Sequence, residues 1–235
     1  MTTTLVTGAN KGLGLETARR LVAAGHTVHL GSRDPERGRR AAAEIGARPV
    51  VIDVTDDESV AAAARAVEAE GGLDVLVNNA GIEGRGEGNG VIGPAEVTAG
   101  MMRELFETNV FGVVRVLHAF VPLLQRSAAP VVVNLSSGLA SLARITDPAH
   151  PAHAYPGVAY PASKTAVNTI TVQYAKAFPG MRVNAVEPGF TATDLNGNTG
   201  TQTVEEGAEV IVRMARIGRD GPTGGFFDAT GPVPW

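Results

Sequence analysis

The stretch Ala-Tyr-Pro-Ala-Ser-Lys at 159–164 sets a phenol and an amine four positions apart. On an α-helix four residues make about one turn, roughly 6 Å of rise, so Tyr160 and Lys164 would share a face. A tyrosine of ordinary pKa, about 10, is a poor acid–base group at neutral pH. A neighbouring ammonium favours the phenolate and draws that value down. The chemistry such a pair supports is proton transfer to or from an oxygen whose charge changes, as when a carbonyl accepts a hydride. Alone, Tyr-x-x-x-Lys is weak evidence, because ordinary surface packing also produces it. The lysine is less ordinary than the spacing. The chain holds only three lysines, Lys11, Lys164 and Lys176, against seventeen arginines, so where it merely needs positive charge it uses arginine.

Other residues carry possible chemistry. Thr-Gly-Ala-Asn-Lys-Gly-Leu-Gly at 7–14 places Gly8, Gly12 and Gly14 between an apolar run and a helical one. Glycines there let the backbone approach a pyrophosphate, whose charge then faces a helix N-terminus. Ser136 and Ser137 follow the apolar run Val131–Leu135 and are either a turn or a pair of oxygen ligands. Asn109 falls in the middle of a long helical stretch, where asparagine has below-average propensity and needs a reason. His150 and His153 have no third ligand nearby and read as loop residues rather than a metal site.

These residues need elements to position them. Apolar strands are expected at Thr3–Thr7, Thr27–Gly31, Pro49–Val54, Leu73–Asn78, Val131–Leu135 and Met181–Val186, with a short last one at Gly224–Asp228. Helical periods occupy Leu13–Ala24, the stretch from Asp34 to about Gly46, Asp56–Glu70, Thr98–Gln125, Val158–Ala177 and Thr203–Arg216. Asp34-Pro35-Glu36 opens one of them with an N-cap, a proline at the first position and an acid in the first turn. Pro161 fits only a first turn, which sets the start of its helix near Val158–Tyr160. The proline-rich segment from Ser141 to Gly157 reads as loop, too rich in proline for a helix. Strand and helix alternate without repeat or long linker. The expected fold is a single α/β domain over residues 1–235, a doubly wound parallel sheet of about seven strands with helices on both faces. Ligands of such sheets bind in the loops beyond the strands' carboxyl ends, here 82–97, 138–157 and 188–203.

Composition narrows the classes. A chain of 235 residues with 44% hydrophobic and 19% charged residues is globular and large enough for one sizeable core. A net charge of −4 argues against a general nucleic-acid partner. The absence of cysteine excludes disulfides and thiolate catalysis. No run of eighteen uninterrupted apolar residues suggests a membrane span, and the N-terminus lacks the pattern of a secretory signal, so a cytoplasmic protein is expected.

Taken in order, Thr7–Gly14, Asn78-Asn79-Ala80-Gly81, Asn134-Leu135-Ser136-Ser137, Tyr160–Lys164 and Pro188-Gly189 resemble the short-chain dehydrogenase/reductase family, from about Thr3 to about Gly225. The form of the glycine loop and the segment before Tyr160 look most like its carbonyl-reductase branch. The resemblance implies a Rossmann-type fold and an oxidoreductase that moves a hydride between a nicotinamide and a small ketone, aldehyde or secondary alcohol. It implies four catalytic residues: Tyr160 as acid/base, Lys164 beside it and on the ribose hydroxyls, Ser137 on the substrate oxygen, and Asn109 supporting a water that leads protons from Lys164 to solvent. It implies cofactor contacts at Gly8, Asn10, Lys11, Gly12, Leu13, Gly14, Asp53, Val54, Asn79, Ala80, Gly81, Pro188 and Gly189, with Thr191 or Thr193 at the carboxamide. An NAD enzyme of this type wants an acid at the end of the second strand; here that position is Ser32, followed by Arg33. Two cations, Lys11 and Arg33, and no acid suit a 2′-phosphate, so the expected cofactor is NADP(H). The competing reading is a dinucleotide sensor of the same fold that has lost catalysis, and the four filled catalytic positions count against it. Relatives pair through helices matching 98–125 and 158–177, so a homodimer or homotetramer is expected, with the short insertion before Tyr160 covering that face only in part. Residues 190–203 are expected to be a mobile loop acting as a lid.

Overall fold

The computed structural model describes residues 2–235. Among the described residues eight strands form one sheet: β1 (Thr3–Val6), β2 (Thr27–Ser32), β3 (Arg48–Val51), β4 (Val75–Asn78), β5 (Val131–Leu135), β6 (Arg182–Val186), β7 (Phe226–Asp228) and β8 (Gly231–Pro232). Their order is β3-β2-β1-β4-β5-β6-β7-β8, parallel throughout except for β8. The chain winds outward from β1 to β3, then returns to lay β4 on the other side of β1. That reversal opens a crevice at the carboxyl ends of β1 and β4.

Successive side chains of a strand face opposite ways, so each strand feeds two cores. Leu5, Leu76, Val132 and Val183 meet α3 (Asp57–Ala69), α5 (Gly112–Leu124) and α7 (Ala159–Ala177) through Val67, Phe120 and Val167. Val6, Leu30, Val77 and Val133 meet α1 (Gly12–Ala23), α2 (Pro35–Ile45) and α8 (Val204–Ala215) through Leu21, Ala42 and Ile211. Near-continuous valine and leucine runs make good strands here because neither face meets water. Helix starts follow side-chain chemistry. Asp34 accepts from the N–H groups of Glu36 and Arg37, and Thr203 and Glu206 close a reciprocal capping box. The Ala99–Leu124 stretch is apolar and long enough to span a membrane by length and composition, with mean hydropathy 1.2. In this fold Val116, Leu117 and Phe120 are packed into the core instead.

The structure differs from the sequence-based expectation in three places. The long helix is not uniform: α4 (Ala99–Phe106) passes into α5 through a wider π-type turn at Glu107–Phe111. The insertion is not all loop, since α6 (Leu142–Thr146) forms within it. Ser141 caps α6, its Oγ accepting from Arg144 N–H, and the prolines begin only at Pro148, after the helix has ended. Finally, β8 adds a two-residue antiparallel edge beyond β7. It is built on a turn in which Asp228 Oδ1 accepts from the N–H groups of Thr230 and Gly231.

Candidate active site

Beyond the carboxyl ends of β1 and β4 lies a cleft of about 630 Å³. The glycine loop forms its floor. Gly14 is packed so closely that a Cβ there would sit 2.5 Å from Asn79 Nδ2 and 2.7 Å from the Gly8 carbonyl oxygen. Asn79 holds the loop from the other side, its amide donating to the carbonyls of Thr7 and Gly8 at 2.8 and 3.0 Å. Thr7 completes the clamp: its hydroxyl accepts from the N–H groups of Asn79 and Ala80. No side chain caps α1, which leaves N–H groups of its first turn for an anion. Gly12, at φ +55°, faces Thr193 across the cleft. A backbone cradle, an uncapped helix start and two cations at the rim fit a dinucleotide phosphate.

Among the expected cofactor residues, Gly8, Asn10, Lys11, Gly12, Leu13, Gly14, Arg33, Asp53 and Val54 line this cleft, as do Asn79, Ala80, Gly81, Pro188 and Thr193. Thr191 does not. It is buried, with Gln202 donating to its hydroxyl at 2.8 Å, so of the two threonines Thr193 is the one that faces the cleft. Gly189 does not line it either, and its N–H donates to Glu187 Oε2 at 2.7 Å. Ser32 Oγ accepts from Asp34 N–H and donates to the Asp34 carbonyl, while the Asp34 carboxylate caps α2. No acid at the end of β2 is therefore free to take a ribose hydroxyl.

Tyr160 and Lys164 stand in the first turns of α7 and both line the cleft. Lys164 Nζ is 5.7 Å from the centre of the Tyr160 ring and donates to the Leu135 carbonyl at 2.8 Å. Burial pushes the Lys164 ammonium down to about 8. Asn109 reaches the same spot. Its Oδ1 accepts from Ile82 N–H at 2.8 Å, and its Nδ2 donates to the Ile82 carbonyl and to Ser163 Oγ. A Cβ built on Gly81 would lie 3.2 Å from Asn109 Oδ1 and 3.5 Å from Lys164 Nζ, so these three residues meet. The mid-helix asparagine is buried, which removes the reading of it as an exposed residue, and it sits in the π-type turn. The two serines divide their work. Ser136 is buried and donates to Asn168 Oδ1 at 2.6 Å, whereas Ser137 is partly exposed and its hydroxyl hydrogen-bonds Tyr160.

One electrostatic expectation is corrected. The protein's own groups hold the Tyr160 phenol above its ordinary value, not below it. Burial is the main cause and the Glu83 carboxylate the next; the Ser137 hydrogen bond works the other way. Lys164, turned onto Leu135, does not outweigh them.

Several residues at the site escaped the sequence reading. Glu83 and Arg85, just past β4, form a buried ion pair at 2.8 Å, and Tyr155 from the insertion donates its hydroxyl to Glu83 at 3.0 Å. Arg144 of α6 bridges Glu187 and Asp228 at 3.2 and 2.7 Å. Lys11 pairs with Asp194 at 2.7 Å, tying the glycine loop to residues 190–203. Those residues are not a featureless loop. A 3₁₀ turn at Asp194–Asn196 is closed by Thr193 and Asn196, and Asn196 Nδ2 donates to the Thr191 carbonyl. His150 and His153 each bond backbone within the insertion, to Ala152 N–H and the Ile145 carbonyl.

Comparison with known proteins agrees with this geometry. The family described as short chain dehydrogenase matches residues 2–204. The chain is 30% identical to (+)-neomenthol dehydrogenase of Capsicum annuum, covering 95% of this chain and 94% of that protein. Salutaridine reductase of Papaver somniferum superposes with a TM-score of 0.85 at 29% identity, over 97% of this chain and 99% of that one. NADPH-bound carbonyl reductase from chicken fatty liver gives 0.86 at 26% identity, over 100% and 99%.

Proposed function

Because the chain belongs to the short-chain dehydrogenase/reductase family, we propose that it is an NADPH-dependent reductase of small ketones or aldehydes that can also run the reverse oxidation of secondary alcohols. The observation that carries this reading is the meeting of Tyr160, Lys164, Ser137 and Asn109 beside a glycine cradle at one end of the sheet. The chicken carbonyl reductase binds NADPH, and the plant neighbours are named neomenthol dehydrogenase and salutaridine reductase.

NADPH, when bound, supplies the hydride. This chain's residues do the rest. The loop Gly8–Gly14 and the α1 start would take the pyrophosphate, Arg33 and Lys11 the 2′-phosphate, and Asp53 and Val54 the adenine. Asn79 to Gly81 would line the middle, and Lys164 would hold the ribose hydroxyls. Pro188 and Thr193, which line the same cleft, would border the nicotinamide. Ser137 orients the substrate oxygen by a hydrogen bond. Tyr160, kept as a phenol at neutral pH, donates its proton to that oxygen as negative charge develops on it. Lys164, with a value of about 8, remains mostly ammonium at pH 7 and steadies the phenolate left behind. Asn109, bonded to both sides of Ile82, holds the π-type turn open beside Lys164 for proton return.

The test is NADPH consumption with a panel of diketones and aryl aldehydes. Turnover with at least one class, and much weaker turnover with NADH, is the expected result. Tight NADPH binding with no turnover on any carbonyl would favour the sensor reading.

A further inference from the structure

One residue inside the Tyr160–Lys164 stretch has no part in the chemistry above. Ser163 follows Tyr160 by three positions on α7 and directly precedes Lys164, so it lies about one turn from the tyrosine. It is fully buried. Its Oγ donates to the Tyr160 carbonyl at 2.8 Å and accepts from Asn109 Nδ2 at 3.1 Å. Chemistry fixes the direction of both bonds. The Ile82 N–H can only donate and the Ile82 carbonyl can only accept, which sets Asn109 Oδ1 on the first and Nδ2 on the second. The other hydrogen of Nδ2 is then the one that Ser163 accepts. The serine's single proton is left for Tyr160. A directed chain thus runs from Ile82 through Asn109 and Ser163 to the Tyr160 backbone, and both hydrogens of the Asn109 amide are used in it.

The start of α7 needs such a tie. Val158, in the N-cap position, makes no side-chain capping bond, and Pro161 in the first turn has no N–H. Helix ends held by few bonds open most easily, and this one carries Tyr160. Farther along α7, Lys164, Asn168 and Thr171 bond residues at the end of β5, namely Leu135, Ser136 and Asn134. Ser163 instead reaches the π-type turn that holds Asn109. We propose that Ser163 is a positioning residue: it ties the Tyr160 backbone to the Asn109 amide, so that the proton donor and the asparagine beside Lys164 are held as one unit across two elements. The inference rests on the reaction proposed above. Alanine is the better helix former, so Ser163→Ala does not weaken α7 through propensity. What it removes is the tie, leaving one buried N–H of Asn109 without its acceptor.

The experiment compares the wild type with Ser163→Ala in two measurements. In carbonyl reduction, kcat should fall by about 5–20-fold, the scale of one buried hydrogen bond, while the Kd for NADPH stays within about twofold. The solvent deuterium isotope effect on kcat should rise, because the step that slows is the one that moves a proton. A purely structural role would lower kcat and the NADPH-binding stoichiometry together and leave the isotope effect in place. That result, or an unchanged kcat, overturns the inference. The second measurement is backbone hydrogen exchange without substrate, which needs no turnover. In Ser163→Ala the amides of 158–166 and those of 105–112 should both exchange several-fold faster, with the other helices unchanged. Faster exchange in 158–166 alone would mean that the serine holds only its own helix, and no change in either would mean that there is no tie. Both outcomes refute the inference. Where a carbonyl is reduced, the inference requires both measurements to agree with it. Where none in the panel is reduced, exchange still decides, so failure of the reaction and failure of the inference are told apart.

Discussion

At the scale of the residue, the site is a contest between burial and charge. Tyr160 and Lys164 could be paired on paper because one helical turn joins them. Ser137 stood out because it follows an apolar strand. Glu83 did not stand out, because its partner Tyr155 is 72 positions away and nothing local marks either residue. The same distance hid the correction to Tyr160: proximity to a lysine is visible in sequence, but desolvation and a carboxylate brought in by the fold are not. Lys164 gives a test at this scale. Its folded value of about 8 lies below the ordinary 10.5. The unfolded chain therefore binds more protons between these values, and the folded state gains stability as pH rises through that window. Below pH 8 the buried ammonium carries its full cost. Without cofactor, Lys164→Met should therefore be more stable than the wild type at pH 7, by about 1–3 kcal/mol, with the gap closing towards pH 10. Denaturant melts at the two pH values measure it. A variant less stable at pH 7 would show that the bond to Leu135 outweighs the desolvation.

At the scale of the element, most of the fold was legible, because a parallel sheet buried on both faces writes itself as valine and leucine runs between capped helices. What was not legible lay where local rules compete. The π-type turn around Asn109 interrupts an otherwise helical pattern, and there Asn109 bonds both backbone groups of Ile82, a residue from another loop. The α6 helix was hidden by prolines that follow it. The 190–203 segment read as unstructured because its order comes from asparagine and threonine side chains bonding backbone rather than from an apolar period. The Lys11–Asp194 pair links that segment to the glycine loop, and both partners are exposed, so it is worth at most about 1 kcal/mol. A 2′-phosphate competing for Lys11 would have to displace Asp194. Asp194→Asn should thus tighten NADPH binding by up to about fivefold and leave NADH unchanged. The double change Lys11→Ala with Arg33→Ala should weaken NADPH far more than NADH, each lost charge-assisted bond costing about 1.5–3 kcal/mol. Titration calorimetry with both cofactors checks both. Equal losses for the two cofactors would mean that these cations do not read the phosphate.

At the scale of the whole molecule, the insertion and the C-terminus close one end of the site and leave a helix face open. Tyr155 pins the insertion to Glu83, while Ala143 N–H donates to the Trp235 carbonyl and Ser141 Oγ to the Pro234 carbonyl. The insertion is thus committed to the mouth of the cleft and the β7–β8 edge. Met101, Phe111 and Val114 remain exposed along the helices of residues 99–124. Pairing of two copies through this face is the expected use, and light scattering at micromolar concentration should find a dimer or tetramer; a monomer would mean that the face needs no cover. The central claim is that all this architecture serves one proton donor, and Tyr160→Phe tests it most directly. The phenylalanine keeps the ring and loses only the hydroxyl. Carbonyl reduction should fall by about 10²–10⁴-fold, the usual weight of a general acid, while NADPH binding stays within a few-fold of the wild type. Retention of most of the activity with NADPH still bound would contradict the account.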